Sequence, residues 1–167
     1  MPTILFVCTV NRFRSPIAAA YFSKKLASKD DAGSWTVSSA GTWAPEGLPA
    51  HPTAISAAAK MGLDIKSHRT TIVNAMMLNK YDLVVVMENG HKEALEAEFP
   101  IIRGRVILLG SLADIPGGEI PDAAWDNFKY PDSMAHMVCA AIDKAFDELV
   151  RMTIDSHNGK PVLPSTR

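Results

Sequence analysis

Cys8 and Arg14 bracket the segment Cys8-Thr9-Val10-Asn11-Arg12-Phe13-Arg14-Ser15-Pro16, a nucleophile followed after five residues by a guanidinium and a hydroxyl. A short loop of this kind, running from a strand into a helix, curls so that successive backbone N–H groups point inward as an anion nest. The helix N-terminus adds its partial positive charge. Phosphate suits such a nest: Arg14 can hold two of its oxygens, and the same field favours the thiolate of Cys8 over the thiol. The loop residues Thr9, Val10, Asn11, Arg12, Phe13, Arg14 and Ser15 are therefore the candidate phosphate-binding set, with Cys8 as nucleophile. Taken alone, a cysteine ending an apolar strand is ordinary packing, and one arginine at a fixed spacing is common by chance. The strand-to-helix junction, the Ser-Pro that follows and the position at a sheet switch point favour the phosphate loop.

The elements that must position this loop follow from periodicity. Residues 4–8 form a continuous apolar run, as in a parallel strand covered on both faces. Ser15 reads as a capping residue and Pro16 as the first helical position, with Ile17, Ala18, Tyr21, Phe22 and Leu26 at helical spacing. A strand over 35–39, an alanine-rich helix over 52–61 closed by Gly62 and a buried strand over 83–87 come next. A helix over 88–99 stopped by Pro100, a strand over 105–109 and a loop rich in Pro, Gly and Asp complete the approach to the last helix. On that helix Met137, Val138, Ala141, Ile142, Ala145, Phe146, Leu149 and Val150 make one apolar stripe. This alternation predicts an α/β fold, a doubly wound three-layer sandwich with a four-stranded parallel sheet. One domain over residues 1–154 is expected, with 155–167 as a mobile tail.

The loop resembles that of the low-molecular-weight protein tyrosine phosphatases, Val-Cys-x-Gly-Asn-x-Cys-Arg-Ser-Pro-x-Ala-Glu, against Val7-Cys8-Thr9-Val10-Asn11-Arg12-Phe13-Arg14-Ser15-Pro16-Ile17-Ala18-Ala19 here. Ser39-Ala40-Gly41-Thr42, Gly62-Leu63-Asp64 with His68-Arg69, Tyr81-Asp82-Leu83 with Met87, and Leu109-Gly110-Ser111 recur in the family's order, so the likeness spans about residues 3–150. The resemblance implies hydrolysis of phosphotyrosine in proteins, or of small aryl phosphates, through a phosphocysteine on Cys8, with no metal and no cofactor. Arg14 and the loop amides would stabilise the equatorial oxygens, and an aspartic acid would protonate the departing phenol and later activate water. It also implies that Asn11, Ser15, Ser39 and His68 form a polar network supporting the loop. On their own, Ser39 and His68 read as ordinary polar packing or a helix cap.

Four features depart from the family pattern. The acid, in an Asp-Pro-aromatic segment, is best matched by Asp122, although Ala123 replaces the proline. Asp126 is the alternative acid, and Asp132 reads as the cap of the last helix. Val10 stands for a glycine, and a β-branched residue resists positive φ, so the loop is expected to be strained or reshaped if that conformation is needed. Phe13 replaces a second cysteine, removing a disulfide partner for Cys8. Arg12 occupies a wall position where a cation would disfavour a guanidinium substrate, unless it merely faces solvent. Trp43, Trp125, Phe128 and Tyr130 are candidates for an aryl pocket or for local packing.

Composition narrows the alternatives. The 167 residues carry 17 Lys plus Arg against 18 Asp plus Glu, so a net charge of −1 supplies no global attraction to nucleic acid or anionic membrane. Two cysteines without a Cys-x-x-Cys pair, no signal-peptide pattern and no long apolar run indicate a cytoplasmic protein with no membrane partner. A thiol-dependent arsenate reductase would need further relay cysteines, and Cys139 reads as a flank residue off the apolar stripe of the last helix. A catalytically weak phosphate-binding module, kept alive by Val10 and the missing Asp-Pro, is the competing class. The five histidines show no metal-ligand spacing, and the sequence is silent on oligomeric state.

Overall fold

A computed structural model of the chain describes residues 1–29 and 34–165. Four parallel strands, β1 (Thr3–Cys8), β2 (Thr36–Gly41), β3 (Leu83–Val86) and β4 (Val106–Leu108), lie in the order β2-β1-β3-β4. The register sets Cys8 beside Gly41 and Val7 beside Val86, so the carboxyl ends of the three neighbouring strands meet at one edge. β1 is central, and its alternating residues feed two cores, as a strand covered on both faces must. Ile4, Phe6 and Cys8 face the larger core, with Ile17, Phe22, Ile142 and Phe146. Leu5 and Val7 face the other, with Leu78, Val84, Val86 and Leu95.

Among the described residues six α-helices cover the sheet: α1 (Arg14–Ala27), α2 (Pro52–Lys60), α3 (Ala75–Asn79), α4 (Asn89–Glu98), α5 (Leu109–Leu112) and α6 (Pro131–His157). Phe22 joins α1 to α6 by ring contact with Phe146 at 5.1 Å and to β1 by contact with Phe6 at 5.5 Å. Each fully buried ring of this size contributes about 1.5–3 kcal/mol, which fixes α1, and with it the loop that feeds α1, on the sheet. The doubly wound three-layer sandwich is therefore the fold observed.

Several local expectations are corrected. Ser15 lies inside α1 and does not cap it; the cap position is Phe13, which makes no side-chain cap bond, leaving the Ser15 hydroxyl free for the site. Asp132 lies in the first turn of α6, and its carboxylate pairs with Lys60 at 2.7 Å instead of capping the helix. Cys139 is buried in the larger core, where burial pushes its thiol up to about 12. The last helix continues past 154 to His157, and beyond it Leu163 O accepts from Arg151 at 2.6 Å while Glu148 accepts from Ser165 N at 2.7 Å. The strand over 105–109 is shorter, because Leu109 already begins α5. Among the described residues no helix is long and apolar enough to cross a membrane.

Candidate active site

The loop between β1 and α1 turns over the carboxyl edge of the sheet. Its left-handed residue is Asn11 (φ 61°), not Val10, so the β-branched side chain meets no forbidden region and the strain expected there is absent. Asparagine tolerates this conformation, and here its amide is fully used. Nδ2 donates to Ser15 Oγ at 2.8 Å and Ser39 Oγ at 3.0 Å, while Oδ1 accepts from Thr71 N at 3.0 Å. His68 Nε2 lies 2.7 Å from Asn11 O; the carbonyl only accepts, so the ring carries its proton on Nε2. Burial lowers the His68 pKa, the bond to Asn11 O opposes this, and Arg69 lowers it further, which suits a neutral ring. The end of β2 abuts the loop closely: a Cβ on Gly41 would overlap Thr9 O.

Cys8, 3% exposed, sits at the loop's base with its Sγ 3.0 Å from Ser15 Oγ. Ser15 Oγ accepts from Asn11, so its own proton is shared between Sγ and Ala40 O, the latter at 3.3 Å. The shorter contact is to sulfur, which provides a thiolate with a donor. Asn11, Ser15, Ser39 and His68 thus come together around the loop.

Arg14 is nearly buried and held by four oxygens. Nη1 donates to Ile120 O at 2.8 Å and pairs with Glu88 Oε2 at 3.1 Å; Nη2 lies 3.4 Å from both Thr9 Oγ1 and Asp122 Oδ2. Two carboxylates around one buried guanidinium offset the cost of desolvating it. Ile120 is itself fully buried, and its N–H bonds Met87 O at 2.9 Å, which brings the segment carrying Asp122 to the end of β3. His91 Nδ1 accepts the Glu88 N–H at 3.1 Å, so its proton is on Nε2, 2.8 Å from Thr9 Oγ1. Burial and then Arg14 lower the His91 pKa to about 4.

Cys8, Arg14 and Asp122 line one cavity of about 250 Å³, with Val10, Asn11, Arg12, Phe13, His51, Ala124 and Phe128. Asp126 does not line it; its carboxylate accepts from Lys129 N at 3.3 Å on an exposed turn. Of the four expected aromatic wall residues only Phe128 is present. Trp43, Trp125 and Tyr130 are exposed and lie outside the cavity: Trp43 sits in the loop after β2, and the segment after Asp122 leaves Trp125 and Tyr130 in solvent. Arg12 does line the cavity, with Nε donating to Pro49 O at 3.0 Å. A larger depression of about 600 Å³ behind the loop includes Ser39, His68 and Arg69 but not Cys8. Among the described residues no group of three or more His, Cys, Asp or Glu side chains is placed to hold a metal ion.

Glu88, His91, Thr71 and His51 were not foreseen as site residues. A Glu-x-x-His pair at a helix start is the only sequence signal for the first two, and it reads as a cap: Glu88 and His91 do form a capping box on α4.

Residues 3–158 match the family Low molecular weight phosphotyrosine protein phosphatase. The chain belongs to this family. Low molecular weight protein-tyrosine-phosphatase Etp of Escherichia coli (strain K12) is 35% identical over 120 residues, 72% of this chain and 76% of that one. The crystal structure of the low molecular weight protein tyrosine phosphatase from T. tengcongensis superposes with a TM-score of 0.80 at 30% identity, covering 89% of this chain and 99% of that one. The YwlE arginine phosphatase from Geobacillus stearothermophilus superposes with a TM-score of 0.79 at 26% identity, covering 93% and 97% of the two chains. Membership in this phosphatase family leaves the phosphorylated residue to be argued from the cavity.

Proposed function

We propose that this phosphatase hydrolyses aryl phosphate monoesters, phosphotyrosine in proteins first among them, through a phosphocysteine on Cys8. The observation that carries the reading is that Cys8, Arg14 and Asp122 line one cavity at the carboxyl edge of the sheet. Cys8 Sγ attacks phosphorus and the P–O(aryl) bond breaks, while Asp122 delivers its proton to the departing phenolate. Arg14 and the loop amides stabilise the equatorial oxygens. Water then attacks the thiophosphate, giving a proton to Asp122 and returning the thiolate. Asn11, Ser15, Ser39 and His68 hold the loop and the sulfur for both steps.

Arg12 decides between aryl and guanidinium substrates. Arg12 is among the residues lining the cavity, so the guanidinium of phosphoarginine would meet a like charge there, whereas an uncharged phenyl ring would not. Phosphotyrosine is expected to be the better substrate, and Arg12→Thr to narrow the gap; equal turnover of both substrates by the wild type would remove the argument.

The deciding experiment is hydrolysis of p-nitrophenyl phosphate at mildly acid pH with a chelator present. Turnover that survives chelation and vanishes in Cys8→Ser supports the scheme. Retained phosphate binding without turnover in the wild type would mark a phosphate-binding module instead. Asp122→Asn is expected to lower kcat/KM for poor leaving groups by about 10²–10⁴-fold, the usual worth of a general acid, with little effect from Asp126→Asn. The reverse ranking would move the acid to Asp126.

A further inference from the structure

We infer that Phe13, Phe128 and His51 form an aromatic clamp that positions Asp122, a role that rests on Asp122 being the proton donor. The segment carrying Asp122 has Ala123 where a proline would stiffen the chain, then a short 3-10 turn over Ala123–Asp126, then Asn127 (φ 57°) and Phe128 (φ 56°). Two consecutive left-handed residues, the second bulky and aromatic, are unfavourable for the backbone by itself. The conformation is held by the Phe128 ring. It lies flat on the His51 imidazole, with centroids 3.8 Å apart and planes 13° from parallel, and meets the buried Phe13 ring at 6.1 Å.

Both partners are fixed from behind. His51 caps α2 by accepting the Thr53 N–H on Nδ1 at 3.2 Å, and its backbone N–H donates to Arg12 O in the phosphate loop at 2.9 Å. Phe13 is the last residue before α1. The ring of Phe128 is therefore anchored to the two elements that define the loop holding Cys8. Its position reaches the acid directly: Phe128 N donates to Ala123 O at 2.9 Å, Trp125 N to Asp122 O at 3.2 Å, and Ala124 N to Asp122 Oδ1 at 3.0 Å. The clamp and these bonds make one rigid turn whose first residue is Asp122. Phe128 is thus a positioning residue as well as a wall of the cavity, and a rotation at Ala123 that would swing Asp122 away must first unstack it.

A wall and a positioning device respond differently to leaving-group chemistry. kcat/KM is measured with p-nitrophenyl phosphate, whose phenolate leaves unaided, and with phenyl phosphate, whose leaving group needs the proton. Asp122→Asn should lower the phenyl ester selectively. Phe128→Ala should lower both esters through the lost wall contact and in addition shift their ratio against phenyl phosphate, on the order of tenfold, as expected when an acid is displaced but not removed. Phe128→Tyr should restore the wild-type ratio, and His51→Ala should reproduce the Phe128→Ala ratio without adding to it in the double variant. Equal losses on both esters in Phe128→Ala, or independent effects of the two substitutions, would reduce the aromatic group to a wall and overturn the inference. If Asp122→Asn shifts the ratio and Phe128→Ala does not, the clamp fails while the acid assignment stands; if Asp122→Asn leaves the ratio unchanged, the acid assignment fails first and the clamp with it. Should Phe128→Ala unfold, Phe128→Leu and His51→Ala make the same comparison.

Discussion

Asn11→Ala removes three side-chain hydrogen bonds, to Ser15, Ser39 and Thr71 N, and leaves a Cβ-bearing residue at φ 61° without the local compensation asparagine supplies. At about 1 kcal/mol net per bond the bonds account for roughly 3 kcal/mol. The left-handed backbone adds about 1 kcal/mol for alanine, giving a loss of about 4 kcal/mol in the free energy of unfolding. Asn11→Gly deletes the same bonds but not the permissive backbone, so it should be less damaging than Asn11→Ala by about 1 kcal/mol, less the entropy glycine loses on folding. Urea unfolding of the wild type and both variants, with the slope held common, measures each term. The same variants should bind phosphate more weakly, since Ser15 and the loop carbonyl bonded to His68 lose their brace. A loss below about 1 kcal/mol in Asn11→Ala would refute the idea that this amide organises the loop. A glycine variant less stable than the alanine one would refute the backbone part of the reasoning.

His91 makes stability depend on pH. Its pKa is lowered from 6.5 to about 4 in the folded protein, so between these values the unfolded chain binds the extra proton and stability falls as pH falls. Over that window the wild type should lose about 3 kcal/mol relative to His91→Gln, with no difference in slope above about pH 7; parallel curves from urea unfolding at about pH 7.5 and 4.5 would exclude it. Peroxide treatment should inactivate with poor recovery on adding thiol, because Phe13 offers no resolving thiol beside Cys8 and Cys139 is buried in the core. Complete recovery would show that another reductive route protects the sulfur. Gly41→Ala should impair folding or phosphate binding, since its Cβ would press on Thr9 O at the back of the loop; normal behaviour in both would mean that β2 yields easily.

What was legible in the sequence is what chemistry places close along the chain. Cys8, Asn11, Arg14 and Ser15 lie within one loop and the helix turn it enters, so their spacing alone constrains where their atoms can meet, and the apolar run before them fixes the side of the sheet. Ser39 and Asp122 required the resemblance, because nothing local distinguishes a serine ending an edge strand or an aspartate in a polar loop. Glu88 and His91 were hidden by their second occupation as a helix cap. A capping pair satisfies its own backbone, so its sequence gives no reason to look for Arg14 and Thr9 across the sheet. The β1–β3 register, which sets Val7 beside Val86, is what carries the start of α4 to the phosphate loop. His51 and Phe128 show the same effect more strongly. One reads as the residue before a helix and the other as one more aromatic in a loop, and neither gains meaning until His51 bonds Arg12 O and Phe128 turns through positive φ. The aromatic wall expected from Trp43, Trp125 and Tyr130 failed for the complementary reason: composition counts rings, whereas the turn after Asp122 decides which of Trp125, Phe128 and Tyr130 faces in, and Trp43 stays exposed in the loop after β2. A reactive loop is therefore readable from spacing, but the residues that aim it are set by strand register and backbone handedness. Substitutions at those aiming residues should alter rate constants through geometry while leaving the loop's own chemistry in place.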